Sequence, residues 1–222
     1  MMKRIHEEGT KAIWVTILVT CLLVVVINLF FPRQSFFHFL LYAYCVVHIF
    51  WTFRFFRVPL SRTVSKGDDI VLSAADGEVV ANEVVFEDEY FHQELRQISI
   101  FMSIHNVHVN FFPFDGVVTY YKYHPGKFLV AFKPKSSDLN EHNSIVARDA
   151  KGREVMMRQI AGFVARRIVC DLKPGDELKA GDELGMIRFG SRVDMFLPLD
   201  ADVKVKIGDK VRSKLTVIAE WK

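Results

Sequence analysis

Residues 185–198 read GMIRFGSRVDMFLP. Ile187, Phe189 and Val193 alternate with Arg188 and Arg192 as in an extended strand, and Gly190 and Ser191 interrupt that alternation. A glycine in a strand ordinarily marks a bulge or a close backbone approach, which is one reading of the pair. The other is chemical. A serine hydroxyl becomes a nucleophile once a base takes its proton, and an imidazole whose tautomer is fixed is a suitable base near neutral pH. Two histidines, His105 and His108, stand in FMSIHNVHVNFFPFDG (101–116), and a carboxylate, Asp76, stands in SAADGEV (73–79). Residues three apart face opposite sides of a regular strand, so a local turn must bring both histidines to one site, or one of them is a core residue. A zinc pair lacks a third ligand at recognisable spacing, so no metal site is expected.

The elements that hold these residues begin with an apolar N-terminal region. Residues 12–31 (AIWVTILVTCLLVVVINLFF) carry no charge and make about 30 Å of helix at roughly 1.5 Å per residue, which matches a bilayer core. A second run, 35–53, follows after Pro32, Arg33 and Gln34, so residues 1–57 are expected to form a helical membrane hairpin. A cleaved signal peptide fits less well, because the first run is long and leads straight into the second. Lys3, Arg4 and Lys11 precede the hairpin and Arg54, Arg57 and Arg62 follow it, which places both ends, and the domain of residues 58–222, on the cytoplasmic side of the cell membrane. His38 and His48 inside the second run must be paired if it is buried in lipid, and a re-entrant hairpin is the alternative.

Three cysteines give neither a disulfide framework nor a metal spacing, and a net charge of +3 is too small to point to nucleic acid. From about residue 60 short apolar runs alternate with turn dipeptides (Asp76-Gly77, Asp115-Gly116, Pro125-Gly126, Pro174-Gly175, Gly208-Asp209), the pattern of a mainly β domain. Helix is expected at most over 87–96 or 136–142. Residues 161–187 and 199–219 look like versions of one another, as do ADGEVV (75–80) and FDGVVTYY (114–121). Such repeats resemble the barrel-sandwich hybrid of biotinyl and lipoyl carrier domains, although no Met-Lys-Met tip for a swinging arm is present.

Taken in order, SAADGEV, the His-x-x-His stretch and RFGSRVDMFLP (188–198) resemble the phosphatidylserine decarboxylase proenzymes, in particular a shorter subfamily with the same Phe-Gly-Ser-Arg form. The better-known form reads Leu-Gly-Ser-Thr. The resemblance implies that Ser191 Oγ attacks the carbonyl of Gly190, the amide becomes an ester, and elimination followed by hydrolysis leaves a pyruvoyl cofactor in place of Ser191. The products are a β chain, 1–190, and an α chain, 191–222. By the same resemblance His108 is the base, Asp76 its orienting partner, and His105 the proton donor after carbon dioxide leaves phosphatidylserine. Arg192 would hold the lipid phosphate or the leaving carboxylate, or form a salt bridge with Asp194. The expected partners are a phospholipid and its membrane, with homo-oligomerisation left open. The competing reading is a membrane-tethered hybrid-motif adaptor without catalysis, and a third is a pyruvoyl decarboxylase of a soluble amino acid.

Overall fold

The computed structural model describes residues 5–65, 67, 69–127, 140–162, 167–188 and 191–222. The chain divides into two compact units, Met1–Leu60 and Ser61–Lys222.

The first unit is a pair of helices, α1 (Glu7–Phe30) and α2 (Phe36–Phe55). The Nδ1 of His6 accepts the amide of Glu8 at 3.2 Å, and Glu7 and Glu8 put negative charge on the positive end of the α1 dipole. Both helices are long and apolar enough to cross a membrane. Their outward surfaces are hydrocarbon: Trp14, Leu18, Leu29, Phe37 and Phe39 are all exposed. His38 is paired at the turn: its ring binds the Phe31 carbonyl at 2.9 Å through Nε2 and the Ser35 hydroxyl at 2.9 Å through Nδ1. Asn28 joins the helices by accepting from Gln34 at 2.8 Å and Tyr42 at 2.9 Å.

The second unit is β throughout: β1 (Ile70–Leu72), β2 (Gly77–Glu87), β3 (Gln93–Met102), β4 (Val109–Phe111), β5 (Gly116–His124), β6 (His142–Arg148), β7 (Glu154–Ile160), β8 (Ile168–Val169), β9 (Glu177–Leu178), β10 (Glu183–Ile187), β11 (Ser191–Leu197), β12 (Asp202–Val203), β13 (Lys210–Val211) and β14 (Val217–Glu220). An eight-stranded sheet runs β13-β2-β3-β11-β7-β6-β5-β9, and two three-stranded sheets run β1-β14-β12 and β4-β10-β8. The main core lies on the face carrying Ile98, Ile100, Met102, Ile145, Met157, Val193, Met195 and Leu197. Leu95, Val146, Met156 and Phe196 bury the opposite face. Each such side chain removed from water stabilises the fold by about 1.5–3 kcal/mol.

The repeats in the sequence are repeats in space. Val79 exchanges backbone bonds with Gly208 and Asp209 at 2.8 and 2.9 Å, and Val118 does the same with Gly175 and Asp176 at 2.8 and 2.9 Å. A bulge follows each valine, between Val79 and Ala81 and between Val118 and Tyr120. A Cβ at Gly77 would collide with the Phe101 carbonyl, and one at Gly116 would meet the Arg148 carbonyl at 2.6 Å, so both Asp-Gly pairs need glycine for close approach. Three Lys-x-Gly-Asp turns repeat as well. The backbone amides of Lys173, Lys179 and Lys206 donate to the carboxylates of Asp176, Asp182 and Asp209 at 2.9, 2.8 and 3.0 Å.

The expected helix over 87–96 is instead a hairpin. The Glu87 carboxylate accepts the amides of Glu89, Tyr90 and Phe91 at 2.9, 2.9 and 2.8 Å, which ties a turn between β2 and β3. Of the other expected helix, residues 136–139 lie outside the described residues, and Asn140 to His142 lead into β6.

Candidate active site

Two connections join the large sheet to the β4-β10-β8 sheet, and their described ends are paired. β3 ends at Met102 and β4 begins at Val109, while β10 ends at Ile187 and β11 begins at Ser191. Ser191 stands opposite Met102, Met186 stands opposite Val109, and the Ile187 amide donates to the His108 carbonyl at 3.2 Å. The histidine segment and the segment leading to Ser191 therefore leave one sheet together and enter the other together. Phe189 and Gly190, and with them the Gly190 side of the expected cleavage site, lie outside the described residues.

Residues 103–106 form the turn that the three-residue histidine spacing requires. Asn106 Oδ1 accepts from the Ser103 amide at 2.9 Å and from its hydroxyl at 2.6 Å, and the Asn106 amide returns to the Ser103 carbonyl at 2.9 Å. His105 is exposed on this turn, whereas His108 is fully buried. The Nδ1 of His108 lies 3.1 Å from the Asn106 carbonyl. A carbonyl only accepts, so Nδ1 carries the proton and Nε2 is the basic nitrogen of the neutral ring. Ser191 is fully buried too, and its hydroxyl points to the Met102 sulfur at 3.8 Å. A thioether is a weak acceptor, so this hydroxyl is poorly bonded for a buried polar group.

Asp76 stands at the bend that leads into β2. The Phe111 amide donates to the Ala74 carbonyl and the Leu72 amide to the Pro113 carbonyl, both at 2.9 Å, so the segment that leads to this bend runs beside β4. Its carboxylate is held by the Arg62 guanidinium at 2.5 and 2.6 Å and by the Ser213 amide and hydroxyl at 3.0 and 2.8 Å. The expected orienting partner thus has Arg62 and Ser213 as its bonded neighbours, and the Asn106 carbonyl orients His108 Nδ1. Neither Arg62 nor Asn106 was identifiable from motif spacing: one acts through a side chain 14 residues from Asp76, the other through its backbone.

Arg192 is buried and makes a two-pronged ion pair with Asp194, through Nε at 2.8 Å and a terminal nitrogen at 2.7 Å. Ser191 alternates with Arg192 along β11, so their side chains leave opposite faces, with Ser191 on the face of Val193 and Met195. Cys170 is no competing nucleophile, because burial pushes its thiol up to about 11.

One polar cluster lies away from Ser191. Glu89, His124 and His142 bring ligand-type atoms within 4.8 Å of one another. Glu89 is bonded to His124 at 2.6 Å, Ser144 at 2.7 Å and Arg158 at 2.9 Å, while the two imidazoles stack at 4.3 Å and 14°. Stacked rings send their lone pairs side by side rather than toward one point, and Arg158 already supplies a cation. The cluster is a hydrogen-bonded ion network.

The family model described as phosphatidylserine decarboxylase matches residues 49–219. A phosphatidylserine decarboxylase proenzyme of Amoebophilus asiaticus is 55% identical over 170 residues, covering 77% of this chain and 75% of that one. The proenzyme of Cytophaga hutchinsonii is 44% identical and covers 98% of both chains, and that of Bacteroides fragilis is 42% identical over 99% of this chain and 96% of its own. With its histidine turn, its buried serine and these relatives, the chain belongs to the phosphatidylserine decarboxylase family.

Proposed function

We propose that this chain cuts itself between Gly190 and Ser191 and then decarboxylates phosphatidylserine to phosphatidylethanolamine with the pyruvoyl group so formed. The observation that supports the reading is that the Ile187 amide donates to the His108 carbonyl while Ser191 pairs with Met102, so the segments on either side of the expected cleavage site are tied to the two ends of the histidine segment.

In the first stage the residues act on their own backbone. His108 Nε2 takes the Ser191 proton, and the Asn106 carbonyl keeps the proton on Nδ1 so that Nε2 stays basic. Asp76 supplies the negative charge that favours the imidazolium, with its carboxylate fixed by Arg62 and Ser213. The apolar walls around Ser191, Met102 among them, leave its hydroxyl weakly solvated and available to attack.

The site fits the cofactor. Position 191 is small, fully buried and at the first residue of a strand, where a new chain end can be held. When formed, the pyruvoyl group supplies an electrophilic ketone for the substrate amine and a carbonyl that takes up the electron pair left by carbon dioxide. His105, exposed on the turn, delivers the proton that replaces the carboxylate.

Cleavage need not separate the chains. The 191–222 segment contributes β11 between β3 and β7, β14 between β1 and β12, and β13 beside β2, so its strands stay paired with the 1–190 segment. The helical hairpin would keep the enzyme at the membrane, and the basic residues at its two outer ends support a cytoplasmic β unit. The direct experiment scores purified protein on a denaturing gel and measures carbon dioxide release from labelled phosphatidylserine. Two chains and release are expected, and an uncut, inactive protein would refute the reading.

A further inference from the structure

We infer that Asn110 is the hydrogen-bond donor to Ser191 Oγ when that oxygen leaves the side chain during cofactor formation, an inference that rests on the self-cleavage proposed above. Three carboxamides run through the core toward Ser191. Asn143 Nδ2 donates to Gln159 Oε1 at 3.0 Å, Gln159 Nε2 donates to Asn110 Oδ1 at 2.7 Å, and Asn110 Nδ2 points to the Met102 sulfur at 3.4 Å. All three residues are fully buried. The backbone sets the direction of the row: the Gln159 amide, which only donates, reaches Asn143 Oδ1 at 3.3 Å, so the Asn143 NH2 faces Gln159 and each later carboxamide follows in turn. The row therefore ends in the NH2 group of Asn110.

The fold makes room for this row. Gly185 stands opposite Asn110 in the pairing of β4 with β10, at a φ of +150°, and a Cβ there would meet Gln159 Nε2 at 3.3 Å and the Val169 carbonyl at 2.5 Å. Buried amides cost stability unless every group is bonded, and the last one is not well bonded, because a thioether is a weak acceptor. Ser191 Oγ rests on the same sulfur at 3.8 Å, so two donors share one poor acceptor.

Cofactor formation turns these two donors into partners. Once Ser191 Oγ carries the acyl group of residue 190 it has no proton, and it only accepts. His108, having passed the serine proton to the freed amine, then takes the proton on Cα of residue 191. The Cα–Cβ double bond forms and the Cβ–Oγ bond breaks, with its electron pair going to Oγ, which becomes one oxygen of the carboxylate that ends the β chain. Negative charge thus develops on the atom that shares Met102 with the Asn110 NH2. A donor held by the core, away from water, stabilises that charge without reorganising. In the preceding attack the charge falls on the carbonyl oxygen of residue 190 instead, so loss of Asn110 should halt the reaction at the ester.

The test uses full-length protein with Asn110→Leu, which keeps the packing volume, and Asn110→Asp, which keeps an acceptor for Gln159 and removes the donor. Ser191→Ala is the uncut control. Each protein is treated with hydroxylamine, which splits esters and spares amides, and the products are weighed by mass spectrometry. Loss of one such donor slows its step by about 10²–10³-fold. Both variants should therefore accumulate a full-length species that hydroxylamine cuts between residues 190 and 191, releasing a 191–222 chain with an unblocked serine at its N-terminus. Wild type should hold little ester and yield the blocked chain. Gln159→Leu, which frees the Asn110 amide to turn, should accumulate ester to a smaller extent. A blocked chain formed at the wild-type rate in either Asn110 variant overturns the assignment and leaves self-cleavage standing. So does a folded Asn110→Leu protein, judged by its melting curve, that stays uncut and resists hydroxylamine, because the block would then precede the ester. A wild type that stays uncut and resistant would refute self-cleavage itself, and the assignment with it.

Discussion

Asp76 and Asp115 occupy equivalent turns in the two repeated halves, and each accepts a backbone amide from the facing strand region, Ser213 at 3.0 Å and Ala180 at 2.7 Å. Of these two, Asp76 also grips a guanidinium, that of Arg62. The repeat thus provides an internal control, in which Asp115 is the twin of the proposed site residue Asp76.

Asp76→Asn and Asp115→Asn should therefore differ in maturation. Both weaken a turn, but loss of the Asp76 charge removes support for the imidazolium, and cleavage should slow on the order of 10²-fold. Cleavage of Asp115→Asn should keep its wild-type rate. Densitometry of a time course after synthesis checks this, and equal rates would reduce Asp76 to a turn residue.

His108 and His105 should separate the two stages. His108→Ala removes the proposed base, and maturation should fall by about 10²–10⁴-fold. His105→Ala should mature and then release carbon dioxide slowly per cleaved molecule. The reverse assignment of defects would exchange their roles.

Acid should weaken the fold through the network around Glu89. Burial pushes Glu89 upward, but the hydrogen bonds from Ser144 and His124 and the charge of Arg158 outweigh it, so its carboxyl is held below the ordinary 4.5. Burial holds His142 below its ordinary 6.5. Both folded-state values are depressed. Unfolding therefore takes up protons, and stability falls as pH drops, first below 6.5 through His142 and then below 4.5 through Glu89. Melting temperatures recorded from about pH 8 to about pH 4 should show both arms. His142→Asn should flatten the upper arm and Glu89→Gln the lower, and unchanged profiles would remove these groups from the acid response.

Deleting residues 1–53 should leave a protein that matures but partitions poorly onto vesicles. The hairpin supplies apolar area and no group of the candidate site, and Arg54, Arg57 and Arg62 alone give a salt-sensitive attraction to anionic lipid. Co-sedimentation with vesicles at low and high salt, together with a gel, checks both halves of this expectation. Undiminished binding at high salt would show that the β unit carries its own membrane contact.

Much of this architecture was legible because its signals are local. Uncharged runs make helices of bilayer length, and Asp-Gly and Lys-x-Gly-Asp turns recur because backbone approach and a positive φ demand glycine there, as at Gly175 and Gly208. The helices begin and end within a few residues of the apolar runs, with α1 starting earlier, at Glu7, because His6 caps it. The mistaken helix over 87–96 shows the limit: Glu87 folds back onto three amides, a choice that periodicity does not record. Ser191 and the histidines announced themselves by type and order. Arg62 and Asn106 did not, because a side chain distant in sequence and a backbone carbonyl make their contacts.

The most direct measurement is the intact mass of the purified full-length protein beside that of Ser191→Ala. Self-cleavage predicts two chains in the wild type, ending at residue 190 and beginning at 191, the shorter with a blocked N-terminus, and one uncut chain in the variant. A single full-length mass in fully active wild-type protein, or the same two chains from Ser191→Ala, would contradict it.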